Sequence, residues 1–354
     1  MSLKLDSNAR CAVIGYGSWA TALVKILCEN EARVSWHITN PVVVEGILAE
    51  EHNPKYLSDA ELDTSKLDIS DDINKVVAEA DIIVLATPSA YLKKTLEPLT
   101  VSLDDKFIVS AIKGIVPDEY VTVAEYFNQQ YSIPFGHIGI VTGPCHAEEV
   151  ALEHLSYLTV VCSNADDAEQ LRRKFTTKYI QTVTSSDIYG IEYATVLKNI
   201  YAIAVGIAAG LGYGDNFLAV LLANSSIEME RFLNETYPAE RQSRASAYLG
   251  DLLVTGYSLF SRNRRFGMMI GRGHSVAAAQ LQLGMVAEGY FASECIRHIN
   301  SRFGVEMPIA DAVYDILYRK VKARNAMKLL TTKLISFQTE RAIWHSARLT
   351  ELYQ

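Results

Sequence analysis

The sequence predicts an α/β protein, with a doubly wound N-terminal sheet followed by an all-α C-terminal domain. Three observations lead there. A strand, a glycine turn and a helix follow one another near the N-terminus. Short apolar strands then alternate with helical stretches as far as about Ser186. Beyond that point the strand signals fade and helical patterns run to the end. With 354 residues the chain exceeds the usual domain size of about 150, so two domains are expected, 1–187 and 188–354. No Gly/Ser-rich linker separates them, which suggests a firm interface.

The first element reads Arg10 to Gly15, a short buried strand. Gly15, Tyr16, Gly17, Ser18, Trp19 and Ala20 then give the G-x-G-x-x-A form of the dinucleotide fingerprint, and an apolar-periodic helix follows through Leu27. Gly15 permits the tight turn, Gly17 lets the backbone approach a pyrophosphate, and Ala20 is small enough for close packing of helix on strand. The free N–H groups of the helix start suit the phosphates. These features make the first domain Rossmann-type. Arg33 to Ile38 is the second strand, whose tip normally carries the residue that reads the adenosine ribose. Here the tip is His37-Ile38-Thr39-Asn40 and has no acid, so NAD and NADP both stay open, with His37 a candidate contact.

The α/β rhythm continues. Leu67 to Ser70 is a brief strand, and Asp72 can cap a helix over Ile73 to Glu79. Asp81 to Pro88, Phe107 to Ala111 and Ile138 to Val141 are continuous apolar runs, as expected of parallel strands covered on both faces. Ligands of open α/β sheets sit beyond the carboxyl ends of the strands. Thr87-Pro88, Lys113-Gly114 and Gly143-Pro144 lie at such ends, which singles out Lys113. Leu158 to Cys162 and Gln181 to Val183 close the sheet.

The helical half is organised around Gly190 to Asn224, an apolar stretch containing Lys198-Asn199. A lysine there must be paired, shift its pKa or reach a wet cleft, because burying an isolated ammonium is costly. Gly206, Ala208, Ala209 and Gly210 allow close backbone packing, and Asp215 is placed to cap the next helix. Asp251 and Thr255, four residues apart, share one helical face. Ser261 to Arg265 reads as an irregular loop whose Arg262, Arg264 and Arg265 suit a phosphate-bearing substrate, since the guanidinium fork matches phosphate oxygens. Ala287-Glu288-Gly289 opens a further helix, and the last stretch, from Thr331, includes Trp344 and carries no recognisable chemistry.

Composition limits the function classes. The chain is 49% hydrophobic and 21% charged, with a net charge of −8, which argues against a nucleic-acid or membrane-surface role. Five scattered cysteines form no metal or redox pattern, so reduced thiols in a cytoplasmic protein are expected, with no metal. The most apolar window, Ala202 to Ala223, is interrupted by glycines at 210, 212 and 214, which favours two packed helices over a membrane span.

Together GYGSWATAL, the Ile112-Lys113-Gly114 turn, TGPCHAEEV, VLKNIYAIAVGIAAGLGYGDN, GDLLVT, SRNRRFG and AEG resemble the NAD(P)-dependent glycerol-3-phosphate dehydrogenase family, over roughly residues 10 to 325. The resemblance implies reversible hydride transfer between sn-glycerol 3-phosphate and dihydroxyacetone phosphate, feeding glycerophospholipid synthesis. It implies Lys198 as general acid and base, since burial lowers a lysine's pKa, with Lys113 stabilising the substrate oxygen and Asp251 orienting or pairing Lys198. Thr255 would support that network. Asn199, Ser261, Arg262 and Asn263 would hold the phosphate, and Gly143 and Cys145 would line the substrate side. Gly15, Gly17, Ser18, Trp19, Lys113, Ala147, Arg262, Val286 and Glu288 would contact NAD or NADP, and a homodimer is expected.

Two departures stand out. Ala20 replaces the family's glycine, and Cys145-His146 replaces its Ser-Phe, exchanging a hydroxyl for a weaker thiol donor. His146 is a second acid–base candidate, in a role that Lys198 with Asp251 already fills. A related hydroxyacid or sugar-phosphate dehydrogenase, or a non-catalytic dinucleotide-binding regulator, are the rival readings.

Overall fold

Runs of Val, Ile and Leu form the centre of the first half, where side chains on both faces of the strand are covered. The computed structural model describes residues 5–334; the tail residues 335–354, with Trp344, lie outside the described residues. Its strands are β1 (Cys11–Ile14), β2 (Val34–His37), β3 (His52–Asn53), β4 (Leu57–Glu61), β5 (Leu67–Ser70), β6 (Ile82–Leu85), β7 (Phe107–Ser110), β8 (Ile138–Thr142), β9 (Ser156–Cys162) and β10 (Ile180–Ser185). Eight of them form one sheet in the order β10-β9-β8-β7-β6-β1-β2-β5, and β3 and β4 make a separate hairpin. Every residue of β1, β6, β7 and β8 is buried, which explains their continuous apolar sequences.

The doubly wound arrangement is present, with one departure from a wholly parallel sheet. From β5 across to β8 the strands are parallel, but β9 runs antiparallel to β8, and β10 follows β9. A parallel return needs a crossover long enough to travel the length of the sheet. Between β8 and β9 the only helix is Ala147–Ala151, five residues long, so the chain turns back at the end where β8 finishes.

Local signals explain several helices. Asp72 accepts a hydrogen bond from Asn74 N and starts the helix Ile73–Ala78, as its sequence predicts. Thr122 and Glu125 form a reciprocal capping box for the helix Val123–Tyr131. Two expectations need correction. Asp215 is not a cap but the first residue of the helix Asp215–Thr236, where its charge complements the helix dipole. The segment from Ser261 to Arg265 is not an irregular loop: Ser261 accepts from Arg264 N and starts the helix Arg262–Gly271. The run of arginines hid a serine cap.

Among the described residues two compact units result, one up to residue 196 with 239–254, the other of 197–238 with the residues from 255 onward. The helix Ile188–Gly210 begins in the first unit and continues in the second from Leu197. By length and composition it could cross a membrane, yet 89% of its most apolar window is buried inside the protein. The glycines at 210, 212 and 214 end it, and the next helix starts at Asp215, giving the expected pair.

Within the second unit, glycines let two helices touch at the backbone. A Cβ on Gly206 would lie 2.1 Å from the carbonyl oxygen of Arg264, and one on Gly267 would lie 2.2 Å from that of Ile203. Neither position has room for any side chain. Gly206 and Gly210 therefore serve the close packing that their sequence suggests. The same unit buries Glu228, whose carboxylate accepts from the N–H groups of Ile309 and Ala310 at 2.8 and 2.9 Å. This satisfies orphan donors at the start of the helix Pro308–Leu317.

Candidate active site

In the first unit the glycine turn has the shape a dinucleotide needs. Gly15 has φ +117°, and a Cβ there would sit 2.8 Å from the carbonyl oxygen of Ala86. The buried Trp36 indole donates to Gly15 O at 2.6 Å and fixes the turn against β2. Around Gly17 nothing lies within 4 Å of where a Cβ would be, so the backbone is open to a ligand. The helix Ser18–Asn30 starts there with no side-chain cap. Its first amides can therefore take pyrophosphate oxygens, with the helix dipole in support. Trp19 adds a buried indole N–H that has no hydrogen-bond partner among the described residues. These features fit a dinucleotide.

The strand ends bring three of the sequence-selected residues together. Lys113 follows β7, half-buried, with its Nζ 3.4 Å from Gly143 O and 4.9 Å from the centre of the Trp19 ring. The aromatic face favours the ammonium electrostatically and holds it at the mouth of the glycine turn. Gly143, with φ +137°, turns the chain at the end of β8. Ala147 is buried at the start of the next short helix. Cys145 is also buried, and loss of solvent pushes its thiol up to about 12, against the attraction of Lys113. It is a neutral thiol, not a thiolate nucleophile.

At the tip of β2 the structure is more specific than the sequence. His37 is buried, and its Nε2–H is given to Asp71 O at 3.2 Å. Burial lowers its pKa, with that hydrogen bond opposing. Thr39 is the exposed residue of the tip, 3.4 Å from the Tyr16 hydroxyl, and Asn40 caps the helix Pro41–Glu50.

Asp251 is buried at the start of the helix Asp251–Tyr257, directly after a π-helical turn at Ser246–Gly250. Asp187 steadies that turn. Its carboxylate accepts from Tyr248 Oη at 2.5 Å, from Arg241 Nε at 2.6 Å and from Gly190 N at 3.0 Å. The sequence marks Asp187 only as a boundary, because its partners lie more than 50 residues away in Arg241 and Tyr248. Glu192, which the sequence reading does not single out, stands in the same apolar run as Lys198. It accepts from Ala124 N at 3.2 Å, and burial pushes its pKa up to about 7.

In the second unit Lys198 and Asn199 are 2% and 4% exposed in the continuous helix. The glycine contacts described above set the Arg262 helix against them. Asn263 Nδ2 donates to Asn199 Oδ1 at 2.8 Å, and Asn263 Oδ1 accepts from Gly289 N at 2.9 Å. This ties the start of the helix Glu288–Asn300, with half-buried Glu288 and nearby Val286, to the same place. Ser261 and Thr255 are buried, Arg262 is half-buried and Arg265 exposed. Arg264 is partly committed, donating to Tyr257 O at 2.6 Å. Three arginines at a helix N-terminus oppose the dipole and one another. A phosphate placed there relieves both repulsions.

The comparisons agree with this geometry. The model for the N-terminus of NAD-dependent glycerol-3-phosphate dehydrogenase matches residues 10–168, and the model for its C-terminus matches residues 187–328. A Macrococcus caseolyticus protein named glycerol-3-phosphate dehydrogenase NAD(P)+ is 34% identical over 329 residues, covering 91% of this chain and 97% of that relative. A Chlorobium phaeobacteroides protein of the same name is 34% identical over 326 residues, covering 92% and 97%. Among solved structures, glycerol-3-phosphate dehydrogenase from Coxiella burnetii superposes with a TM-score of 0.84 at 25% identity, covering 92% of this chain and 99% of that one. The enzyme of the same name from Saccharomyces cerevisiae gives 0.77 at 25% identity, covering 91% and 99%. With both halves matched and more than nine-tenths of the chain aligned, this protein belongs to the NAD-dependent glycerol-3-phosphate dehydrogenase family.

Proposed function

We propose that the protein interconverts sn-glycerol 3-phosphate and dihydroxyacetone phosphate with NAD or NADP. The observation that carries this reading is a glycine turn open at Gly17 in a chain that also buries Lys198-Asn199 beside an arginine-led helix. A nicotinamide cofactor bound at that turn supplies the hydride. Ser18, Trp19, His37, Ala147, Val286 and Glu288 are the further residues assigned to it.

Reduction of a ketone places negative charge on its oxygen, so a positioned acid is needed, and the same group is the base in the reverse direction. Lys198 is assigned that role, with Asp251 and Thr255 in support. Lys113 is assigned to stabilise the charge developing on the oxygen, held in place by Trp19 and the Gly143 carbonyl. Asn199, Ser261, Arg262 and Asn263 take the phosphate, and Gly143 and Cys145 line the substrate. On this reading 1–187 is the cofactor domain and 188–354 the substrate domain. The protein works in the cytoplasm as a homodimer and supplies glycerol 3-phosphate for phospholipids.

The test is a parallel assay of NADH and NADPH oxidation by purified protein on addition of dihydroxyacetone phosphate. Turnover with at least one cofactor is expected. Binding of a dinucleotide without turnover would favour the non-catalytic regulator.

A further inference from the structure

We propose that Asn53 is a positioning residue for the dinucleotide: it holds the glycine turn in its binding shape without touching the ligand. The inference rests on the dinucleotide reading of that turn. Asn53 ends β3 and is fully buried, at 0% exposure. A carboxamide offers two N–H donors and two acceptor positions, and Asn53 uses all four. Its Nδ2 donates to Tyr16 O at 3.0 Å and to Thr21 Oγ1 at 2.8 Å. Its Oδ1 accepts from Lys55 N and Tyr56 N, both at 3.2 Å.

These partners lie on two segments. Tyr16 stands between the two glycines of the turn, and Thr21 is in the first turn of the helix behind it. Lys55 and Tyr56 belong to the β3–β4 connection. The Thr21 hydroxyl in turn donates to Gly17 O at 3.1 Å, so the network reaches the glycine nearest the open space. Ser18 Oγ closes it from the other side by donating to Tyr56 O at 2.6 Å, and the Tyr16 and Tyr56 rings meet edge to face.

A turn built on two glycines has little conformational preference of its own. Its amides bind a pyrophosphate well only if something fixes their direction beforehand, and that preorganisation appears as affinity. The turn's remaining fixed points are Trp36 on Gly15 and the helix behind it. At Gly17 the helix itself holds the carbonyl, with Thr21 N donating to Gly17 O at 2.9 Å, and at Tyr16 the carbonyl is held by Asn53. Replacing it leaves the Tyr16 carbonyl and the Lys55 and Tyr56 amides without their shared partner.

The experiment titrates NADH and NADPH directly into the full-length protein and into Asn53→Ala, Asn53→Asp and Thr21→Val. Asn53→Asp keeps the shape and both acceptor positions but presents oxygen to the Tyr16 carbonyl. Thr21→Val keeps the shape and removes one acceptor and the relay to Gly17. Both Asn53 variants should raise the dinucleotide Kd by about tenfold, and Thr21→Val by about threefold, as expected for loss of buried hydrogen bonds that define a site. At saturating dinucleotide, kcat and the KM for dihydroxyacetone phosphate should stay within about twofold, because the residue acts on binding alone. Equal Kd in all variants overturns the proposal, as does a parallel loss of kcat and of both affinities, which would mark a general structural role. If the Asn53 variants do not fold, an unchanged Kd in Thr21→Val overturns it and a raised one supports it. Failure of the unaltered protein to bind either dinucleotide would instead remove the functional reading beneath it.

Discussion

The two compact units each hold a candidate site lysine, in opposite ways. In the first unit Lys113 stands in a strand-end turn, half-buried, steadied by an aromatic face and one carbonyl. In the second, Lys198 is 2% exposed in the middle of an apolar helix. The first arrangement relies on backbone: strand ends, glycine turns and uncapped amides. The second relies on side chains packed to exclusion, with glycines bringing helix backbones together and Asn263 linking Asn199 to Gly289. An open parallel sheet offers a ready-made site at its carboxyl edge. A helical unit has no such edge and must build its site from buried polar groups, each of which needs partners.

That contrast can be broken at several points. Lys198→Ala should lower kcat by about a thousandfold while leaving dinucleotide binding intact, the usual range for a lost general acid; Lys113→Ala, which removes an electrostatic contribution, should cost about a hundredfold. Steady-state kinetics beside a dinucleotide titration reads both. Similar losses in the two variants would erase the distinction between the units.

The buried carboxylates sharpen it next. Burial raises the pKa of Glu192 to about 7 and of Glu228 to about 8, against an ordinary 4.5, with backbone amides opposing in each case. A raised carboxylate pKa means that the folded protein holds the proton more tightly than the unfolded chain does. The stability this contributes is complete below about pH 4.5 and is lost as pH rises through about 7 and 8, by a few kcal/mol for each group. Urea unfolding at pH 5.5 and pH 8.5 should therefore show lower stability at the higher pH. Glu228→Gln should flatten that difference, and an unchanged slope would refute the assignment.

Glycine substitutions separate packing from binding. Gly206→Ala should destabilise by about 2 kcal/mol, since its Cβ meets the Arg264 backbone with no space to yield. Gly17→Ala meets open space and should leave stability within about 0.5 kcal/mol while weakening dinucleotide binding. Thermal melts with the titration above distinguish them. The smallest effect expected is that of Arg262→Ala, a rise of about tenfold in the KM for the phosphorylated substrate with kcat little changed.

Much of this was legible in the sequence because it rests on local rules. The fingerprint, the Asp72 cap, the strand ends and the lysine in an apolar run each announce themselves within a few residues. The start of the Arg262 helix is masked by its run of arginines, which reads as a charged loop, while the signal that sets it is the single Ser261 cap on Arg264 N. Asn53, Asp187 and Glu228 could not be read at all. Asn53 and Asp187 each have local amide partners, but the contacts that give them a role lie 32 to 37 and 54 to 61 residues away, and those of Glu228 lie 81 to 82 away, so only the folded chain brings them together. Glu192 is different: the criterion that selected Lys198, a charge in an apolar helix, applied to it equally.

The arginine-led helix is assigned to a substrate phosphate in an otherwise acidic protein. The most direct measurement compares kcat/KM for dihydroxyacetone phosphate with that for unphosphorylated dihydroxyacetone, in the unaltered protein and in Arg262→Ala. A preference for the phosphorylated ketone of about a thousandfold or more is predicted, falling by at least about tenfold in the variant, in line with loss of one charge-assisted contact. Comparable turnover of the two ketones, or a preference that survives Arg262→Ala unchanged, would contradict it.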